Sequence, residues 1–186
     1  MKSGVLSSEE KEKINAEIKL AINQGLEIAF AEEAVKANTE EEIADLFFPF
    51  EQNVIAPKTD QKSEKRFIDA ISDGLSQSME KFPDLILMGQ DIGEYGGAFK
   101  ITDGFKSKFG ADRVRNTPLC ESAIIGAGLG LSIKGYKAMV EMQFADFVTC
   151  GFNQIVNNLA KINYRWGQNA DVVIRMPTGA GVGAGP

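Results

Sequence analysis

The chain has 186 residues, 44% hydrophobic and 25% charged, with a formal net charge of −6. That is a globular balance, and the negative charge argues against a nucleic-acid surface. There is no histidine, which excludes histidine triads, histidine general bases and histidine metal ligands within the chain.

The two cysteines, Cys120 and Cys150, are far apart and outside any metal-ligand spacing. Free thiols in a reducing cytoplasm are the simplest reading. The Met-Lys-Ser start lacks the apolar core of a signal peptide. The longest uncharged apolar run, residues 123–133, is too short to cross a bilayer of about 30 Å. The expectation is a cytoplasmic protein with neither nucleic acid nor membrane as partner.

In chain order, residues 7–36 read as one helix. Ser7 and Glu10 form a capping box, and Ile14, Ile18, Ile22, Leu26 and Phe30 draw an apolar stripe. A shorter helix at 40–48 ends at Pro49. Residues 52–65 are polar and aperiodic and read as a linker. The organisation expected is a helical tail at 1–50, a linker at 51–65 and an α/β domain at 66–186.

Residues 66–81 carry Phe67, Ile71, Leu75 and Met79 on one helical face. A buried strand follows at 85–88, then a glycine-rich loop at 89–97 and a short helix at 99–109 closed by Gly110. Further strands are predicted at 113–116, 138–143 and 172–175. Helices are predicted at 122–134 and from Asp146, as cap, to about Trp166. Strands alternating with helices imply a three-layer α/β fold, a parallel sheet with helices on both faces. The stretch 179–186 is a glycine-rich tail with nothing packed behind it, which reads as a truncation.

Several residues invite a chemical reading. Glu121 follows the Thr117-Pro118 turn and heads an apolar, glycine-laden helix. Thr117 suits an N-cap and Pro118 the first helical position, so Glu121 could simply serve the helix dipole. Phe147 stands near the next helix start, where an aromatic usually belongs to the core, and Phe144 reads as core too. Asp91 and Glu94 follow a strand's C-terminal end, where α/β folds place function, although solvated loop acids explain them as well. Gly126, Gly128 and Gly130 imitate a dinucleotide fingerprint, but Leu131 stands where the last glycine belongs. Close helix-to-sheet packing accounts for them without a phosphate.

The words TPLCES, GQDIGEYGGAF and EMQFADF together resemble the beta subunit of the thiamin-diphosphate-dependent first component of 2-oxo acid dehydrogenase complexes. The likeness runs from about Arg66 to Pro186. It implies the pyrimidine-binding, transketolase-like module of those enzymes. Glu121 aligns with the family's cofactor-activating carboxylate, and Phe147 with an aromatic against the aminopyrimidine face. Gln143 aligns near the same ring, able to donate or accept a hydrogen bond. The chemistry needs a carboxyl group beside a ring nitrogen, where a shared proton favours the imino tautomer that deprotonates the thiazolium carbon.

The family's metal signature, Gly-Asp-Gly followed by an Asn-Asn pair, is not in this sequence. The resemblance therefore implies no metal ligand here, with magnesium and the diphosphate held by a separate alpha-type module. The first fifty residues resemble the helical tail of the family's alpha subunit, which suggests a fused alpha–beta parent. That parent is expected to decarboxylate a 2-oxo acid and pass the acyl group to a lipoyl-bearing acyltransferase. NTPLCE and EMQFADF look most like branched-chain members, with pyruvate and acetoin members as alternatives. The chain alone is expected to be inactive and to form a homo-oligomer through residues 122–134 or 146–166. Other classes remain open: a nucleotide-binding oxidoreductase built on Gly126–Gly130, or a non-catalytic assembly module.

Overall fold

The computed structural model describes residues 5–52, 54 and 56–179. The chain divides into two units, Met1–Glu40 and Glu41–Pro186. In the first, helix α1 (Ser8–Ala31) starts with the predicted capping box. The Glu10 amide donates to the Ser7 hydroxyl at 3.1 Å, and the Ser7 amide donates to the Glu10 carboxylate at 2.8 Å. The helix ends short of residue 36. Its last turn has no basic residue, and Glu32 and Glu33 sit at the negative end of the dipole. The stripe from Ile14 to Phe30 is exposed throughout.

Helix α2 (Thr39–Leu46) stops before Pro49. The second unit is then built on a four-stranded parallel sheet in the order β2-β1-β3-β4. Its strands are β1 (Leu85–Gln90), β2 (Val114–Thr117), β3 (Lys137–Glu141) and β4 (Val172–Arg175). Side-chain alternation sorts two cores onto the two faces. Leu85, Leu87, Val114 and Met139 pack with Met79 of α3 (Phe67–Lys81) and Phe105 of α4 (Phe105–Phe109). Val140 and Met142 pack with Ile124 and Ile125 of α5 (Glu121–Ile133), and Met88, Val172 and Ile174 join them. The result is the expected three-layer α/β architecture.

Three local expectations are corrected. The helix expected at 99–109 is reduced to α4, because Lys100 and Gly104 adopt left-handed conformations at φ 58° and 75°. Thr117 does not cap α5. Pairing with Gln90 holds it in β2, and Cys120 becomes the N-cap residue without a side-chain cap bond. The long helix expected from Asp146 is broken into a 3-10 turn at Ala145–Gly151, helix α6 (Phe152–Asn157), a second 3-10 turn at Leu159–Lys161 and helix α7 (Ile162–Trp166). Gly151 leaves helical geometry, at φ −113° and ψ 5°, whereas Asn158 at the second break stays in the right-handed region, at φ −118° and ψ −66°. Asp146 lies inside the first 3-10 turn, and Phe144 occupies the position before it.

Candidate functional site at the C-terminal edge of the sheet

The chain runs outward from β1 to β2 and then crosses back to β3 on the other side. This puts a topological switch point between the C-terminal ends of β1 and β3, the usual ligand position in open α/β sheets. Asp91 follows β1, Glu121 follows β2, and Gln143 follows β3, so all three lie along that edge. The Gln143 Nε2 donates to the Asp91 carboxylate at 3.2 Å, joining the two sides of the switch point. Asp91 is therefore not a freely solvated loop acid. It is half-buried and left-handed at φ 59°. Glu94 does fit the surface reading: a hydrogen bond from Lys106 holds its carboxyl below the ordinary value.

Glu121 begins α5 and is half-buried. Its carboxylate makes no hydrogen bond or ion pair among the described residues. Gly151 seats the turn that carries Phe147 against this helix start. A Cβ at Gly151 would meet Ile125 Cδ1 at 2.4 Å and the Glu121 carbonyl oxygen at 3.3 Å. The Ser122 hydroxyl adds a 3.2 Å hydrogen bond to Asn153 Oδ1. Phe147 packs edge-on against Phe144, with ring centroids 5.8 Å apart, and Phe144 packs edge-on against Phe99. No hydrogen bond links Glu121 to Gln143. The Thr117 hydroxyl, at the end of β2, is buried without a partner among the described residues.

A cavity of about 540 Å³ lies beside these residues, lined among others by Phe67, Ile71, Phe99, Phe144 and Arg175. Glu121, Gln143 and Phe147 do not line it. Phe144 does, so it borders the cavity on one side and touches Phe147 on the other. Arg175 pairs with Glu141, a carboxylate that sequence reading passed over. Room for Glu141 comes from glycines: a Cβ at Gly89 would sit 2.9 Å from Glu141 Cβ, and one at Gly97 would sit 3.4 Å from Oε1. Burial pushes the Glu141 carboxyl above its ordinary value, and Arg175 opposes that push. The available signal was a pair of opposite charges closing two apolar strands, AMVE and VVIR.

The glycines of α5 lie inside the helix, not in a loop before it. A Cβ at Gly128 would meet Val140 Cγ1 at 2.8 Å. That is the close helix-to-sheet approach, and it leaves no phosphate loop at these residues. The glycine-rich tail lies outside the described residues from 180 onward.

Residues 63–186 match the transketolase pyrimidine-binding domain, and the chain belongs to that family. It is similar to the pyruvate dehydrogenase E1 component subunit beta of Leifsonia xyli subsp. xyli, at 43% identity over 119 residues. That match covers 63% of this chain and 35% of the relative. Similarity to the 2-oxoisovalerate dehydrogenase subunit beta of Bacillus subtilis is 43% over 118 residues, covering 62% and 36%. For the mitochondrial 2-oxoisovalerate dehydrogenase subunit beta of Dictyostelium discoideum the figures are 42% over 123 residues, 64% and 33%. The chain thus spans about a third of the length of the curated relatives it matches.

Proposed function

We propose that this chain supplies the pyrimidine half of a thiamin diphosphate site in the first component of a 2-oxo acid dehydrogenase. The observation that carries the reading is Glu121: a half-buried carboxylate without a protein partner, at the C-terminal edge of a sheet of this family. The polar groups nearby suit an aminopyrimidine. Glu121 offers a carboxyl group for a ring nitrogen, Thr117 a buried and unpaired hydroxyl, and Gln143 a carboxamide oxygen left free by the bond to Asp91. Phe147 offers an aromatic face.

Bound thiamin diphosphate supplies the nucleophilic carbon and the electron sink for decarboxylation. Glu121 holds and returns a proton at the ring nitrogen. Phe147 and Gln143 orient the ring, and Gly151 keeps the Phe147 turn against the head of α5.

The diphosphate and its magnesium fall to an alpha-type partner module, and the acyl group goes to a lipoyl-bearing acyltransferase. Residues 1–50 are read as the tail of such an alpha module, joined by a linker at 51–65 to the domain at 66–186. The substrate is read as a branched-chain 2-oxo acid from NTPLCE and EMQFADF. The pyruvate and 2-oxoisovalerate relatives stand at the same 43% identity, so overall likeness does not divide these alternatives. Turnover of 2-oxoisovalerate against pyruvate by the assembled enzyme separates them.

The test of the whole reading is Glu121→Gln in the assembled enzyme. Decarboxylation should fall at least about a hundredfold, the scale of a lost acid–base group. The melting transition should barely move, because a carboxylate at a helix start contributes only about 0.3–1 kcal/mol. Near-normal turnover would sink the assignment.

A further inference from the structure

The bond between Asp91 and Gln143 joins residues 52 apart in sequence across the switch point of the sheet. A carboxylate offers only acceptors, whereas a carboxamide has one donor end and one acceptor end. Asp91 therefore takes the Nε2 end of Gln143 and turns Oε1 away from itself. We infer that Asp91 is a positioning residue: it fixes the Gln143 carboxamide so that Oε1 stands as a hydrogen-bond acceptor toward the amino group of the aminopyrimidine. This rests on the reading that Gln143 lies beside that ring.

The conformation of Asp91 supports a built arrangement. A left-handed φ of 59° is uncommon outside glycine, aspartate and asparagine being the side chains that enter it most readily, and the surroundings of Asp91 hold it there. Here the Gly97 amide donates to the Asp91 carbonyl at 2.8 Å. The buried Thr102 hydroxyl donates to the Ile92 carbonyl at 2.9 Å, and the Ile92 side chain is fully buried. Gly96 closes the same loop at φ 80°, where a Cβ would meet Asp103 Cα at 2.7 Å. The loop thus fixes the carboxylate, and the carboxylate fixes the amide.

The experiment compares affinity for thiamin diphosphate with affinity for the analogue that carries oxygen in place of the ring amino group. Both are measured by calorimetry on the assembled enzyme, with magnesium. Wild type should prefer the amino form, since two facing acceptors leave a buried group unpaired. Asp91→Asn keeps the left-handed preference but frees the amide to turn over. It should lower that preference at least about threefold while changing thiamin diphosphate affinity itself by less than about threefold. A purely structural role would weaken both ligands alike and leave the ratio unchanged.

Gln143→Ala is the companion variant. If it lowers the ratio while Asp91→Asn does not, the role of Asp91 is overturned. An unchanged ratio in Gln143→Ala removes Gln143 from the amino group and overturns the inference at its base. Failure of the wider reading looks different: wild type would then bind neither ligand.

Discussion

Arg175 and Glu141 face each other at the last paired position of β3 and β4, with the guanidinium nitrogens 2.6 and 2.9 Å from one carboxylate oxygen. The side chains are 17% and 2% exposed, so both charges have left bulk water. Breaking such a pair costs more than deleting it, because the survivor is a buried, unpaired charge. Arg175→Met should therefore destabilise the fold by about 3–5 kcal/mol near neutral pH. The double replacement Glu141→Leu with Arg175→Met should return most of that loss. Urea unfolding of the four members of the cycle measures the coupling, and a double variant no better than the single one would contradict it.

The same carboxylate predicts a pH effect. Burial holds the Glu141 carboxyl above its ordinary value of 4.5 in the folded chain. The folded state therefore keeps this proton where the unfolded state has released it. Stability from this group falls as pH rises from about 4.5 through the folded value, then levels off. Glu141→Gln removes that slope. Plotted against pH, the stability of wild type minus that of the variant should fall across this window. Taking the difference cancels other carboxyls such as Asp69, whose carboxyl the hydrogen bond from Arg66 holds low and whose contribution has the opposite sign. A flat difference would rule out the burial effect.

Local pattern made the architecture legible. The run VVIR gives β4 to the residue, and the stripe of 66–81 gives α3, because apolar periodicity is read directly as burial. Features set by distant pairing were not legible. Thr117 has the chemistry of an N-cap, but its register with Gln90 claims it for β2. Asp91 resembles any loop acid until the fold brings Gln143 to it. The break at Gly151 follows from contact with Ile125 and Glu121, which no window around residue 151 contains.

The assembly expectation, a contact through residues 122–134 or 146–166, narrows to one side of those segments. Ile124 and Ile125 are buried within the chain, so they are not available to a partner. Leu129, Ile133, Ile162 and Trp166 instead line a shallow cavity on the outer side of α5 and α7, where Ile133 and Trp166 are exposed. A second copy covering this patch would bury apolar surface that water now meets. Light scattering at micromolar concentration should give a dimer or larger mass, and Ile133→Lys should lower it. A monomeric wild-type chain ends that expectation.

The glycines of α5 give opposite predictions for one substitution. At Gly128 a Cβ would sit 2.8 Å from Val140 Cγ1 and 3.3 Å from Val172 Cγ1, both on the sheet beneath. The methyl must push α5 off β3 or force both valines to move, and overpacking of this kind costs about 1–3 kcal/mol. Alanine's better helix propensity offsets only about 1 kcal/mol of that. At Gly130 a Cβ meets nothing within 4 Å, so only the propensity gain remains. Gly128→Ala should therefore lower the urea midpoint, and Gly130→Ala should raise it by the equivalent of about 0.5–1 kcal/mol. The sign difference is the test. If both variants are stabilised, α5 does not lie on β3 as closely as the 2.8 Å approach at Gly128 requires.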